Sequence, residues 1–268
     1  MDTVYEALIG DGGPCLEGLV RDSGSGKNTA ASLIVRSTKV REAFFDGIVW
    51  LSINADVQES LPSLVFRLVC MLHEDIEGGV GHRPAAPDDG AAYIKQRLEK
   101  GRGGRRFMCL LVADNVWEQE VVSKLLETGM WILLSTRDVE LVVGENGEAV
   151  GVDELSKVDA RSLLRRAAEL PPELCLPDDA ADVVELCSRM AMDLAFVGRW
   201  STVRGRQDRT AWSHAAGKVH AEMAKIEGDP ANNMVEKGGS KHREVILCAG
   251  FEDLAIGSDD ERVQRLCL

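Results

Sequence analysis

Four short apolar runs mark the first half of the chain: "CLEGLV" (Cys15–Val20), "GIVWLSI" (Gly47–Ile53), "FMCLLVA" (Phe107–Ala113) and "WILLS" (Trp131–Ser135). They are nearly continuous rather than alternating, the pattern of strands covered on both faces of a parallel sheet. Between them, apolar positions recur at helical spacing over Asn28–Phe44, Ser60–His73, Ala91–Lys100 and Glu118–Thr128. This alternation predicts an α/β domain, a doubly wound parallel sheet with right-handed crossovers. The Gly- and Pro-rich piece "EGGVGHRPAAPDDG" (Glu77–Gly90) is expected as a surface loop within it.

After about Val152 the strand signal stops. "SKVDARSLLRRAAEL", "PDDAADVVELCSRM" and "LAFVGRWSTV" carry helical spacing, punctuated by Pro171, Pro172 and Pro177, with Asp178 placed to cap the second helix. The expected organisation is therefore an α/β domain over 1–152 and a helical domain over 153–226. A polar linker over 227–242 follows, then a helix near Arg243–Leu254. The last residues, "ERVQRLCL", read as part of a further helix, so 243–268 is expected to be the start of an incomplete domain.

Composition narrows the partners. The chain has 268 residues, 45% hydrophobic and 28% charged, as in an ordinary globular protein. Its net charge of -13, from 44 acidic and 31 basic residues, repels nucleic acid over most of the surface. The basic run Arg102–Arg106 reads as a solvated loop. Seven cysteines, at 15, 70, 109, 175, 187, 248 and 267, form no C-x-x-C pair and read as reduced thiols. No signal peptide or membrane-length apolar stretch is visible, so a cytoplasmic protein is expected. His214 and His220 lie six apart, on different helix faces, and do not read as ligands. Trp50, Trp117 and Trp131 are expected to be packing anchors at strand ends, and Trp200 and Trp212 to pack the helical domain.

The chemistry is concentrated in "LVRDSGSGKNTAASLIV" (Leu19–Val35), a strand running through Gly, Ser and Lys into a helix. A phosphate loop, G-x-x-x-x-G-K-[ST], turns backbone N–H groups inward around a phosphate and aims a helix N-terminus at it. Ser23, Gly24, Ser25, Gly26 and Lys27 supply the inner turn and the charge. Arg21 stands where the first Gly belongs, at a cost of roughly 1–2 kcal/mol if that position is left-handed. Asn28 stands where the magnesium-binding hydroxyl belongs and offers only an amide oxygen, while Thr29 is turned about 100° away. Further on, "LLVADNVW" (Leu110–Trp117) reads as a buried strand leading to Asp114, a candidate Mg²⁺ ligand together with Asn28. The second acid of such a segment, which orients the attacking water, is replaced by Asn115. "WILLSTRD" (Trp131–Asp138) brings Thr136 and Arg137 to the end of another strand.

In this order, the segments resemble the NB-ARC nucleotide-binding module of STAND-class switch ATPases, found in plant disease-resistance receptors and apoptosome-type proteins. "FFDGIVWLSI", "VDELSKVDARSLLRRAA" and "CSRMAMDLAFVGRW", the last at the place of the family's C-G-G-L-P-L-A motif, extend the likeness along most of the chain. The resemblance implies a P-loop domain, a helical ARC1-like domain and the start of a winged-helix domain, in a degenerate and truncated copy. It also implies a switch that holds ADP at rest, exchanges it for ATP, and then self-associates to signal. Carried over by position, Ser23 to Thr29 contact the phosphates, Asp114 serves Mg²⁺ and Arg137 senses the terminal phosphate. Ala191 stands in place of a proline beside the nucleotide, flanked by Met190 and Met192.

Three readings remain open at this level. One is an ADP- or ATP-binding module with weak or no hydrolysis, its catalytic pair Asp114 and Asn115 degenerate. Another is a scaffold or decayed remnant that binds no nucleotide. The third is an active P-loop ATPase of another kind, such as an AAA+ or kinase-like enzyme, for which a second acid or an arginine-rich lid would speak.

Overall fold

The computed structural model describes residues 2–10, 13–53, 60–77, 90–101, 105–171, 176, 179–203, 210–227 and 246. The expected linker over 227–242 and the incomplete domain over 243–268 lie almost wholly outside these residues, as do Asp178 and most of the Glu77–Gly90 loop. By internal contacts the chain divides into two units. The first comprises 1–21 and 27–152; the second comprises 22–26 and 153–268.

In the first unit, five parallel strands form one sheet: β1 (Leu16–Val20), β2 (Gly47–Ser52), β3 (Cys109–Val116), β4 (Trp131–Thr136) and β5 (Glu148–Gly151). Their order is β2-β3-β4-β1-β5, so β4 is inserted between the loop-bearing β1 and the acid-bearing β3. Apolar side chains fill both faces because residues along a strand alternate sides. Leu111, Ala113, Ile132 and Leu134 join one core with residues of α4 (Leu61–Glu77), α5 (Gly90–Lys100), α6 (Gln119–Leu126) and α7 (Glu140–Val143). Leu110, Val112, Trp131 and Leu133 join the opposite core with α1 (Asp2–Ile9), α2 (Lys27–Arg36) and α3 (Thr38–Ala43). Trp131 meets Phe44 edge to face at 5.6 Å between ring centroids, as an anchor should. Trp117 departs from expectation: it is 41% exposed and packs in neither core.

Three elements differ from the sequence pattern. The expected helix Asn28–Phe44 is two helices, because the Ser37 hydroxyl accepts from the Val40 N–H at 3.3 Å and starts a new helix. The short edge strand β5, half exposed, carries no apolar run to announce it. Helix α1 precedes the first strand and buries Val4 and Leu8. No described helix is long and apolar enough to cross a membrane.

The second unit contains α8 (Lys157–Ala167), α9 (Asp179–Leu186), α10 (Ala191–Val203) and α11 (Thr210–Glu227). Its core joins Ala160 and Leu164, four residues apart, with Ala180, Val183, Val184 and Cys187 at i, i+3, i+4 and i+7. Trp212, Ala215, Ala216 and Val219 repeat that spacing on α11, and Trp200 of α10 is 1% exposed. Ser156 caps α8, its hydroxyl accepting from the Asp159 N–H at 3.1 Å.

Candidate phosphate-binding site

The apolar strand β1 ends at Val20, and seven residues later Lys27 opens α2. In the connecting turn Gly24 and Gly26 have φ of +79° and +100°, a region that L side chains avoid. No atom lies within 4 Å of where a Cβ would stand on Gly26, so conformation rather than crowding requires glycine there. Arg21 is not among the described non-glycine residues with positive φ, which removes the strain expected of it. Its N–H donates to the Thr136 carbonyl at 3.4 Å, tying the loop's entry to the end of β4. The Lys27 ammonium donates to the Arg21 carbonyl at 2.7 Å and so spans the turn from end to start. Ser25 is 6% exposed, and its Oγ is a buried polar atom without a hydrogen-bond partner among the described residues. Ser23 is half-buried, and Thr29 is exposed on α2.

Within the second unit, the Met192 N–H at the start of α10 donates to the Gly24 carbonyl at 3.2 Å. Ala191 is thus one residue from a contact with the loop. The preceding turn holds Ser188 and Arg189 at φ of +46° and +56°. Arg189 pairs with Glu154 at 2.7 Å.

At the ends of β3 and β4 lies a chain of polar contacts. Asp114, 7% exposed, accepts from Asn28 Nδ2 at 2.8 Å and from the Ser135 hydroxyl at 2.5 Å. Ser135 accepts in turn from the Asn115 N–H at 2.9 Å. Asn115 stands at φ +63°, where the β3–β4 register slips between Ala113 and Val116. Its side chain is engaged at both ends, donating to the Ile53 carbonyl at 3.0 Å and accepting from Trp117 Nε1 at 2.9 Å. The Arg137 guanidinium lies 4.5 Å from the Trp117 ring centroid, a cation–π contact.

Most site residues read from sequence therefore fall into three groups: the turn Ser23–Gly26 with Lys27, the cluster Asn28–Asp114–Asn115, and Arg137 beside Trp117; Thr29, exposed on α2, and Ala191, in the second unit, belong to none of them. Ser135 adds to the residues read from sequence; Trp117, expected as a packing anchor, instead holds Asn115 and Arg137, and Met192, expected only as a neighbour of Ala191, makes the contact with Gly24. Ser135 sits in the quoted "WILLSTRD", but its role depends on β3 and β4 being neighbours, which one strand's sequence does not state.

The turn fits a phosphate group: two glycines in the required conformation, a lysine, an orphan hydroxyl and the N-terminus of a ten-residue helix. The Asn28–Asp114 pair does not fit magnesium, since an amide N–H faces the carboxylate where an oxygen ligand is required.

Comparison with known proteins agrees at the level of fold. The ORC2 protein of Aeropyrum pernix, solved in ADPNP and ADP complexes, superposes with a TM-score of 0.51 at 13% identity, covering 93% of this chain and 78% of that one. A chain of Drosophila ORC bound to DNA gives 0.52 at 15% identity, covering 99% and 76%. At such identities the likeness shows a shared α/β P-loop NTPase-like fold and nothing finer. No curated protein matches the chain. Residues 1–169, more than half of the sequence, match the NB-ARC domain, and the chain belongs to that family.

Proposed function

We propose that the chain is an adenine-nucleotide-binding module of a cytoplasmic signalling switch, holding ADP or ATP with weak or no hydrolysis. The observation that carries this reading is the turn itself, with Gly24 and Gly26 at positive φ and the Lys27 ammonium drawn across it. A diphosphate there would be held by main-chain N–H groups of Gly24 to Thr29, by Lys27 and by the N-terminus of α2. A nucleotide supplies a phosphoanhydride that can be cleaved, but cleavage needs groups beyond those that bind.

Turnover requires an oriented water and charge compensation on the transferred phosphoryl group. Asn115 carries no proton-accepting carboxylate, and its amide is already tied to Ile53 and Trp117. Arg137 rests on Trp117. The net charge of -13 supports a partner that is not nucleic acid. The family suggests self-association through this module once the nucleotide is exchanged.

A scaffold that binds no nucleotide is the second reading, favoured by Ser188 and Arg189, which hold strained backbone next to the element touching the loop. Equilibrium dialysis of ADP and ATP against the wild type and Lys27→Ala separates the two. The expected result is saturable binding by the wild type and at least about a tenfold loss in the variant, the weight of one charge-assisted contact. Equal weak binding by both proteins would overturn the nucleotide reading in favour of the scaffold.

A further inference from the structure

The mismatch between the Asn28–Asp114 pair and magnesium has a chemical consequence. A carboxylate only accepts, so Asn28 must face Asp114 with its nitrogen, and its Oδ1 points elsewhere. Ser135 has one proton; because its oxygen already accepts from the Asn115 N–H, that proton goes to the other oxygen of Asp114. The buried carboxylate is thereby compensated on both oxygens by protein donors. A magnesium ion demands oxygen ligands at about 2.0–2.1 Å in octahedral array and gives up its water reluctantly. To enter here it would have to turn the Asn28 amide over and break a charge-assisted hydrogen bond, a cost that a Ser or Thr hydroxyl would not impose.

We propose that Asn28 takes the place of the metal: its Nδ2 occupies Asp114, and this chain binds a nucleoside diphosphate without a divalent cation. The inference rests on the nucleotide-binding reading above. Asp114, which in the absence of any cation would repel a neighbouring phosphate, has its charge met by two N–H or O–H donors. The negative charge of the diphosphate is left to Lys27 and the loop amides.

Isothermal titration of ADP into the full chain, in EDTA and in millimolar magnesium chloride, tests this with the wild type and Asn28→Thr. Referred to free ADP, after correction for the magnesium complex that ADP forms in solution, the wild-type Kd is expected to differ by less than about twofold between the two buffers, while Asn28→Thr binds about tenfold more tightly with magnesium. In parallel, Mn²⁺ added to the ADP-loaded wild type should keep the spin-resonance spectrum of unbound ion, and Asn28→Thr should quench it. A wild-type Kd that weakens tenfold in EDTA overturns the metal-free site yet leaves nucleotide binding standing. Absence of ADP binding in both buffers overturns both. An Asn28→Thr variant that folds, binds ADP and stays indifferent to magnesium overturns the role given to Asn28. The wild-type arm is decisive by itself if that variant does not fold.

Discussion

At the scale of single residues, Glu17 is the clearest departure from ordinary burial. It sits in β1 at 3% exposure, with Oε2 buried and without a hydrogen-bond partner among the described residues. Burial first, and the Glu148 carboxylate second, push its pKa up from 4.5 to about 7. Glu148 faces it in register on β5. A carboxyl whose folded pKa is raised gives stability that is complete below the unfolded value and is lost as pH rises through the folded one. Glu17→Gln, which mimics the protonated form, is expected to melt with the wild type at about pH 4, below the unfolded value. At pH 8 it should melt higher by roughly 2–4 °C for each kcal/mol relieved. Thermal scans at the two pH values check this; an equal shift at both would show that titration is not the cause. Neither this nor the Asn28–Asp114 pairing was legible from spacing alone. The sequence places Asp114 and Asn28 on a strand and a helix 86 residues apart, but which atom of an amide meets which carboxylate depends on three-dimensional register.

At the scale of elements, the turn between α9 and α10 carries stored strain. Ser188 and Arg189 follow Cys187 in this turn, and both are left-handed. A side chain there costs roughly 1–2 kcal/mol, partly offset in a glycine variant by the greater freedom of its unfolded chain. Ser188→Gly is therefore expected to stabilise the protein by about 0.5–1 kcal/mol in urea denaturation; destabilisation would mean that the serine makes a compensating contact. Strands are the most legible elements, because β2, β3 and β4 each contain a run of four or more apolar residues. Strand β5, "EAVG", was not, since an edge strand of four residues needs no apolar run. The α2–α3 break has no signal in the sequence, because a serine cap, unlike Pro or Gly, leaves the hydrophobic period intact on both sides.

At the scale of the whole molecule, the order β2-β3-β4-β1-β5 decides what can meet. With β4 between β1 and β3, the Val20–Arg21 end of β1, Asp114 on β3 and the Ser135–Arg137 end of β4 share the carboxyl edge of one parallel sheet, where open α/β folds bind ligands. The alternation of strands and helices announced the class of fold; the strand order followed from no local pattern. The division of labour inside the proposed site has a similar origin. The groups proposed to hold a phosphate come from one contiguous stretch and are visible as a motif. Those that decide turnover are scattered over β3 and β4, and two of them, Asn115 and Arg137, are engaged by Trp117.

The central claim, that the Ser23–Lys27 turn retains a nucleotide, is tested most directly by a thermal-shift titration with ADP on the wild type and Lys27→Ala. Ligand at about a hundred times the wild-type Kd adds close to 2.7 kcal/mol to the folded state, which predicts a rise in Tm of roughly 5–10 °C for the wild type and at most about half of that for a variant weakened tenfold or more. An unmoved Tm in the wild type, or the same rise in both proteins, would contradict it.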